Sequence, residues 1–188
     1  MRTLKIILKI FLFVSFLLIH SATVSYGDSF PAQFDRINSV SWNKSNPLFF
    51  IERSKNKNYI QYDVRLMKNG DLPDSSPVSV YWVLENGGQQ ELTLIERKYA
   101  YGIDSQEKLE QNKFRIYLVA LKSREIIVEK LKSSYRAVVS INGKQSILER
   151  VYVECKERLT GFPKVSYIDL FGRTKERGVP MRERIIPQ

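Results

Sequence analysis

Apolar side chains recur at every second position through most of this chain, and turn residues interrupt the pattern at short intervals. Ile60, Tyr62, Val64 and Leu66 alternate with Gln61, Asp63, Arg65 and Met67. Val78, Val80, Trp82 and Leu84 alternate with Ser79, Tyr81 and Val83. Phe114, Ile116, Leu118 and Ala120 form a third set, and Tyr135, Ala137, Val139 and Ile141 a fourth. A period of two places each set on one face of a β-strand. Asn142-Gly143 is the strongest short hairpin signal, because both residues tolerate the positive φ of a tight turn. Ile147, Glu149, Val151 and Val153 are expected to pair back across it. Lys68-Asn69-Gly70-Asp71, Asn86-Gly87-Gly88 and Lys122-Ser123-Arg124 supply further turns.

Residues 48–53 and 165–171 read as two more strands. Residues 125–131 are ambiguous, since Ile127 and Leu131 also suit a helix, but the short β-branched run favours a strand. One segment departs from the pattern. Thr93 and Glu96 have the spacing of a capping box, Ile95 and Tyr99 would share a helix face, and Gly102 offers a left-handed stop. A short helix is expected over 94–101, followed by a polar loop over 104–113. About eight closely linked strands and one short helix define an all-β, mainly antiparallel single domain: a β-sandwich or an eight-stranded barrel.

The N-terminus carries a different message. Arg2, Lys5 and Lys9 precede an apolar run over residues 10–19, and Ser25-Tyr26-Gly27 follows. This is the layout of a secretory signal peptide over 1–27, with an uncleaved inner-membrane anchor as the lesser alternative. Export to the periplasm or beyond is therefore expected. An arm (28–47), a β domain (48–171) and an extended basic tail (172–188), either a solvated charged end or docked through Ile185 and Ile186, would follow. Without the leader, 27 basic and 20 acidic side chains leave a balance of +7. A basic exported protein can meet an anionic lipid or polymer. Cys155 is the sole cysteine, so no internal disulfide can form, and its strand-like setting suits a small buried hydrophobe.

Leader removal also takes away His20, the only histidine. Ser-His-Asp and Cys-His machinery would then be excluded, as would histidine-based zinc sites. Three Ser-x-x-Lys pairs begin at Ser41, Ser54 and Ser105, but the partner motifs of penicillin-binding enzymes are missing. Paired carboxylates remain, with Glu52, Asp63, Glu85 and Glu96 as candidates for an envelope glycan hydrolase. No cofactor or metal motif is present. The favoured reading is a non-enzymatic exported binding protein for a small amphiphile or an anionic envelope component, with no nucleic-acid partner. Arg53, Ser54, Asn56 and Asn58 form the most suggestive polar stretch, because arginine clamps anions and asparagine reads small polar groups. Trp82, Tyr99 and Tyr101 would add an aromatic wall.

The stretch Phe50-Ile51-Glu52-Arg53-Ser54-Lys55-Asn56-Lys57-Asn58, then Pro77-Val78-Ser79-Val80-Tyr81-Trp82, then Ala100-Tyr101-Gly102, with a late Gly172 and Pro187, resembles the domain-of-unknown-function family 4833 over residues 46–188. The resemblance implies a single exported bacterial domain. It implies no activity and assigns no functional residue.

Overall fold

A computed structural model describes residues 46–156 and 164–187. The leader, His20, the arm through residue 45 and the break at Gly161 and Pro163 lie outside the described residues. The rest is all-β with one short helix. Eleven strands form one sheet that curls into a half-barrel. They are β1 (Pro47–Arg53), β2 (Tyr59–Val64), β3 (Val78–Val83), β4 (Gln89–Glu91), β5 (Ile103–Glu110), β6 (Lys113–Leu118), β7 (Leu121–Leu131), β8 (Ser134–Ile141), β9 (Lys144–Lys156), β10 (Lys164–Thr174) and β11 (Pro180–Ile185). Helix α1 (Leu94–Glu96) widens at once into a π-helical turn, Arg97–Tyr101.

The long strand β9 organises the sheet. One of its edges pairs with β10 along almost its full length. The other edge is divided: residues 144–147 pair with β8, and residues 150–153 pair with β1 in parallel. Two wings therefore spread from β9, β1–β4 on one side and β8–β5 on the other. Their inward faces meet in a single apolar core, in which Tyr62, Phe49, Phe114, Ile116, Ile126 and Leu148 are almost fully enclosed. Burying each such side chain contributes about 1.5–3 kcal/mol. Tyr62 stacks on Phe49 with centroids 4.4 Å apart and donates its hydroxyl hydrogen to the Tyr101 carbonyl at 2.5 Å.

The split in β9 coincides with a bulge. Phe171 pairs with Arg150 but Gly172 pairs with Leu148, so one residue of β9 is extra. Buried positions step from Leu148 to Val151 instead of keeping period two. This overturns the simple alternation expected from Ile147: Leu148, not Ile147, is the enclosed residue. The bulge leaves no room for a side chain. A Cβ on Gly172 would stand 2.2 Å from the Ile147 carbonyl oxygen and 3.0 Å from Ile141 Cδ1.

Several other expectations need correction. Residues 104–110, read as a polar loop, lie in β5, an edge strand whose side chains are mostly exposed. Its polarity reflects solvent on both faces, which hides the period. Lys122-Ser123-Arg124 lies inside β7, and the chain reverses at residues 119–120 instead. Gly102 ends the helical turn, but with φ of −69° and not in the left-handed region. Its value lies in closeness, since a Cβ there would sit 1.9 Å from the Arg97 carbonyl oxygen. The C-terminal segment is extended as expected but paired: β10 runs on to Thr174 and β11 returns along it. Ile185 packs on the core and Ile186 is exposed. The parallel β1–β9 pair was not legible either.

Asn142-Gly143 behaves as read, with φ of 48° and 76°. The two kinds of glycine predict different costs. Gly172→Ala is expected to lower stability by about 3 kcal/mol through overpacking at the bulge. Gly143→Ala meets open space and costs only the left-handed penalty, ~1 kcal/mol. Urea denaturation of both variants measures the difference.

Candidate functional site

Strand β1 sends alternate side chains into the core. Phe49 and Ile51 are buried there, and Arg53 is the next inward position. It falls at the strand end, where α1 and its wide turn cover the core. The Arg53 Nη1 donates to the Tyr101 hydroxyl at 3.1 Å. The Tyr101 ring meets Trp82 edge-on, with centroids 5.5 Å apart and planes at 76°. The Trp82 Nε1 donates to Glu96 Oε1 at 3.1 Å. Glu96 Oε2 accepts from the Thr93 amide at 2.8 Å, completing the capping box foreseen in the sequence. A chain of contacts thus runs from the end of β1 through Tyr101 and Trp82 to the start of α1.

The unusual member is Arg53. Among the described residues no carboxylate lies within salt-bridge reach of its guanidinium. Its Nε is fully enclosed and has no hydrogen-bond partner. Desolvation disfavours a charge strongly unless a counter-ion accompanies it. Arg53 has only the neutral Tyr101 hydroxyl. Burial pushes the Tyr101 hydroxyl above its ordinary range, and nearby Arg53 partly offsets this. The half-buried Cys155 thiol is likewise pushed up by burial and drawn partly back by Arg53, so it stays protonated at neutral pH and packs as a small hydrophobe.

The structure brings Arg53, Trp82 and Tyr101 together but gives the other candidates different work. The Ser54 hydroxyl accepts from the Cys155 amide at 2.9 Å and donates to the Cys155 carbonyl at 3.3 Å, bracing the parallel β1–β9 ladder. Asn56 Oδ1 accepts from the Asn58 amide at 2.9 Å, which closes the turn. Asn58 Oδ1 in turn accepts from the Glu85 amide at 2.9 Å, tying the loop to the end of β3. Tyr99 stands apart, 69% exposed. Tyr135 points to the far end of β2, donating to Asn112 Oδ1 at 2.9 Å. Two open grooves of about 430 and 180 Å³, beside Tyr81 and Ile127, do not reach Arg53.

The four candidate carboxylates are scattered. Glu52 binds Arg150, Glu85 binds Lys57 and Glu96 serves α1. Glu52 pairs with Tyr59, so Asp63 lies four residues further along β2, roughly 13 Å away at the rise of an extended strand. That exceeds the carboxylate spacing of glycoside cleavage.

Sequence reading missed a second cluster on the outer face of β9–β11. Asp169 is nearly enclosed and accepts from Arg182 at 2.8 Å and from two nitrogens of Arg184 at 2.8 Å. Arg184 lies 3.7 Å from the Tyr167 ring centroid, and Arg150 lies 4.0 Å from that of Phe171. Burial alone would raise the Asp169 carboxyl, but the arginine hydrogen bonds outweigh it and hold it below the usual range. Only cross-strand register places these residues together, so no linear motif announces them.

Asp63 is the contrasting acid. Tyr81 donates to its Oδ2 at 2.7 Å, but Oδ1 is enclosed without a partner. Burial raises its carboxyl above the ordinary 3.8, more than the Tyr81 bond and the neighbouring Gln61 amide lower it. The folded state therefore holds this proton more tightly than the unfolded chain does. The stabilisation is complete below 3.8 and is lost as pH rises through the folded value. Asp63→Asn is expected to remove that part of the pH dependence, leaving a flatter stability profile above pH 3.8 in urea titrations.

No curated protein and no solved structure matches this chain. One family model does, over a span that takes in the Arg53 cluster, α1 and the Asp169 network. It matches residues 49–184, so the chain belongs to the family described as a domain of unknown function, DUF4833.

Proposed function

We propose that this chain is an exported, non-enzymatic binding protein that takes a small anionic amphiphile at the Arg53 end of the half-barrel. The observation that carries this reading is the missing counter-ion. A guanidinium presents five donors in a fork suited to carboxylate or phosphate, and Arg53 spends one nitrogen on Tyr101. A ligand anion would supply the charge that the fold withholds. Tyr101 and Trp82 lie beside it as an aromatic wall. Export rests on the basic head and apolar run of residues 1–27.

Arg53→Met separates binding from folding. Replacing an unpaired half-buried cation with an apolar side chain of similar length is expected to leave stability equal or higher. Dodecyl phosphate should bind the natural chain better than dodecanol in calorimetric titration. The Arg53→Met chain should bind dodecyl phosphate roughly 10–100-fold more weakly, the loss of a charge-assisted hydrogen bond. Equal affinity of both chains for dodecyl phosphate, or equal affinity of the natural chain for both probes, would sink the proposal.

A further inference from the structure

Helix α1 and its wide turn are built firmly and yet turned outward. Leu94 is 85% exposed, Tyr99 69% and Ile95 44%, and Tyr101 is the one buried residue of the π-helical turn. Exposed apolar side chains gathered on one short turn mark an interaction surface. Their mounting is rigid at both ends. The Thr93–Glu96 capping box and the Glu96–Trp82 bond hold the start. At the end, the Tyr101 carbonyl accepts from Tyr62, and Gly102 lies against the Arg97 carbonyl. A surface ordered in advance loses little entropy on docking.

Charge identifies what it meets. Lys98 stands between the exposed residues, its Nζ 5.4 Å from the Tyr99 ring centroid. The segments 54–58 and 85–101 carry four cationic side chains, Lys55, Lys57, Arg97 and Lys98; Lys57 pairs with Glu85 and Arg97 with Glu91, while Glu96 caps α1. Without the leader the chain carries +7. An apolar tip, a tyrosine and a surplus of lysine and arginine are the parts of an interfacial anchor on an anionic bilayer. Among the described residues no helix is long and apolar enough to cross a membrane, so the contact is with the surface.

We infer that α1 and its π-helical turn form a membrane-docking surface: Leu94, Ile95 and Tyr99 enter the headgroup boundary of an anionic bilayer while Lys98 meets lipid phosphates. The inference extends the binding reading by naming where an anionic amphiphile would be met, but it stands on different residues. Arg53→Met should dock normally, whereas Leu94→Glu with Tyr99→Glu should spare dodecyl phosphate binding. Failure of one proposal is thus distinguishable from failure of the other.

Hydrogen exchange of the full chain with vesicles reads the contact at the turn itself, whatever the N-terminal segment does. Phosphatidylglycerol-containing vesicles should protect amides over 93–101, and pure phosphatidylcholine vesicles should protect them much less. The double glutamate variant, altered only at exposed positions, should lose that protection and require about tenfold or more lipid for any that remains. Absence of protection over 93–101, equal protection on both vesicle types, or an unchanged double variant would each overturn the inference.

Discussion

One strand serves two wings, and the rest of the molecule follows from how that is done. Strand β9 can share an edge between β8 and β1 only if the sheet changes direction between residues 147 and 150. The bulge opposite Gly172 provides the change by inserting one residue and flipping the alternation. Without it Val151 and Val153 would face outward while Leu148 faced in, and the two wings could not enclose one core. The close approach of Gly172 to the Ile147 carbonyl makes this a position for glycine on steric grounds alone, since its φ is not in the left-handed region.

That arrangement explains what could be read in advance. Strands with alternating apolar side chains announce themselves, as β2, β3, β6 and β8 do. The capping box of α1 is equally local, because Thr93 and Glu96 need only each other. Strand β5 has no buried stripe to reveal it, and β4 is only three residues long. The parallel β1–β9 pair is set by the division of β9, a property of the folded sheet and not of either strand's residues. Register likewise assembles Asp169 with Arg182 and Arg184 and separates Glu52 from Asp63. Among the proposed binding residues, the nearness of Trp82 and Tyr101 to Arg53 was foreseeable only as an aromatic content near a polar loop. That Asn56 and Asn58 shape the turn depends on hydrogen bonds to residues that the sequence leaves unassigned.

The two arginine environments sharpen each other. On the outer face, the Asp169 carboxylate holds two arginines that are about half exposed, and their stems and planes lie over Tyr167 and Phe171. Charge there is matched and partly hydrated, so the cluster ties β11 to β10 at little electrostatic cost. At the end of β1 the balance is reversed. Arg53 is drawn under α1 by the same alternation that buries Phe49 and Ile51, and it meets a phenol and a thiol but no acid. A fold selected for stability alone would place an apolar residue at that inward position.

The location of this mismatch also matters. It lies where β1 ends, beneath the one helical turn of a β domain. Trp82, Tyr101 and Glu96 link the guanidinium to α1, so an anion that engaged Arg53 would act on the same short network that holds Leu94 and Tyr99 outward. The Tyr101 hydroxyl is the shared element: it is the acceptor that Arg53 now uses, while the carbonyl of the same residue is fixed by Tyr62. Transfer of Arg53 from the phenol to a ligand anion would therefore free one hydrogen bond of the turn while leaving its backbone anchored. The proposed ligand capture and surface docking would then share one end of the molecule without a change in the core beneath it.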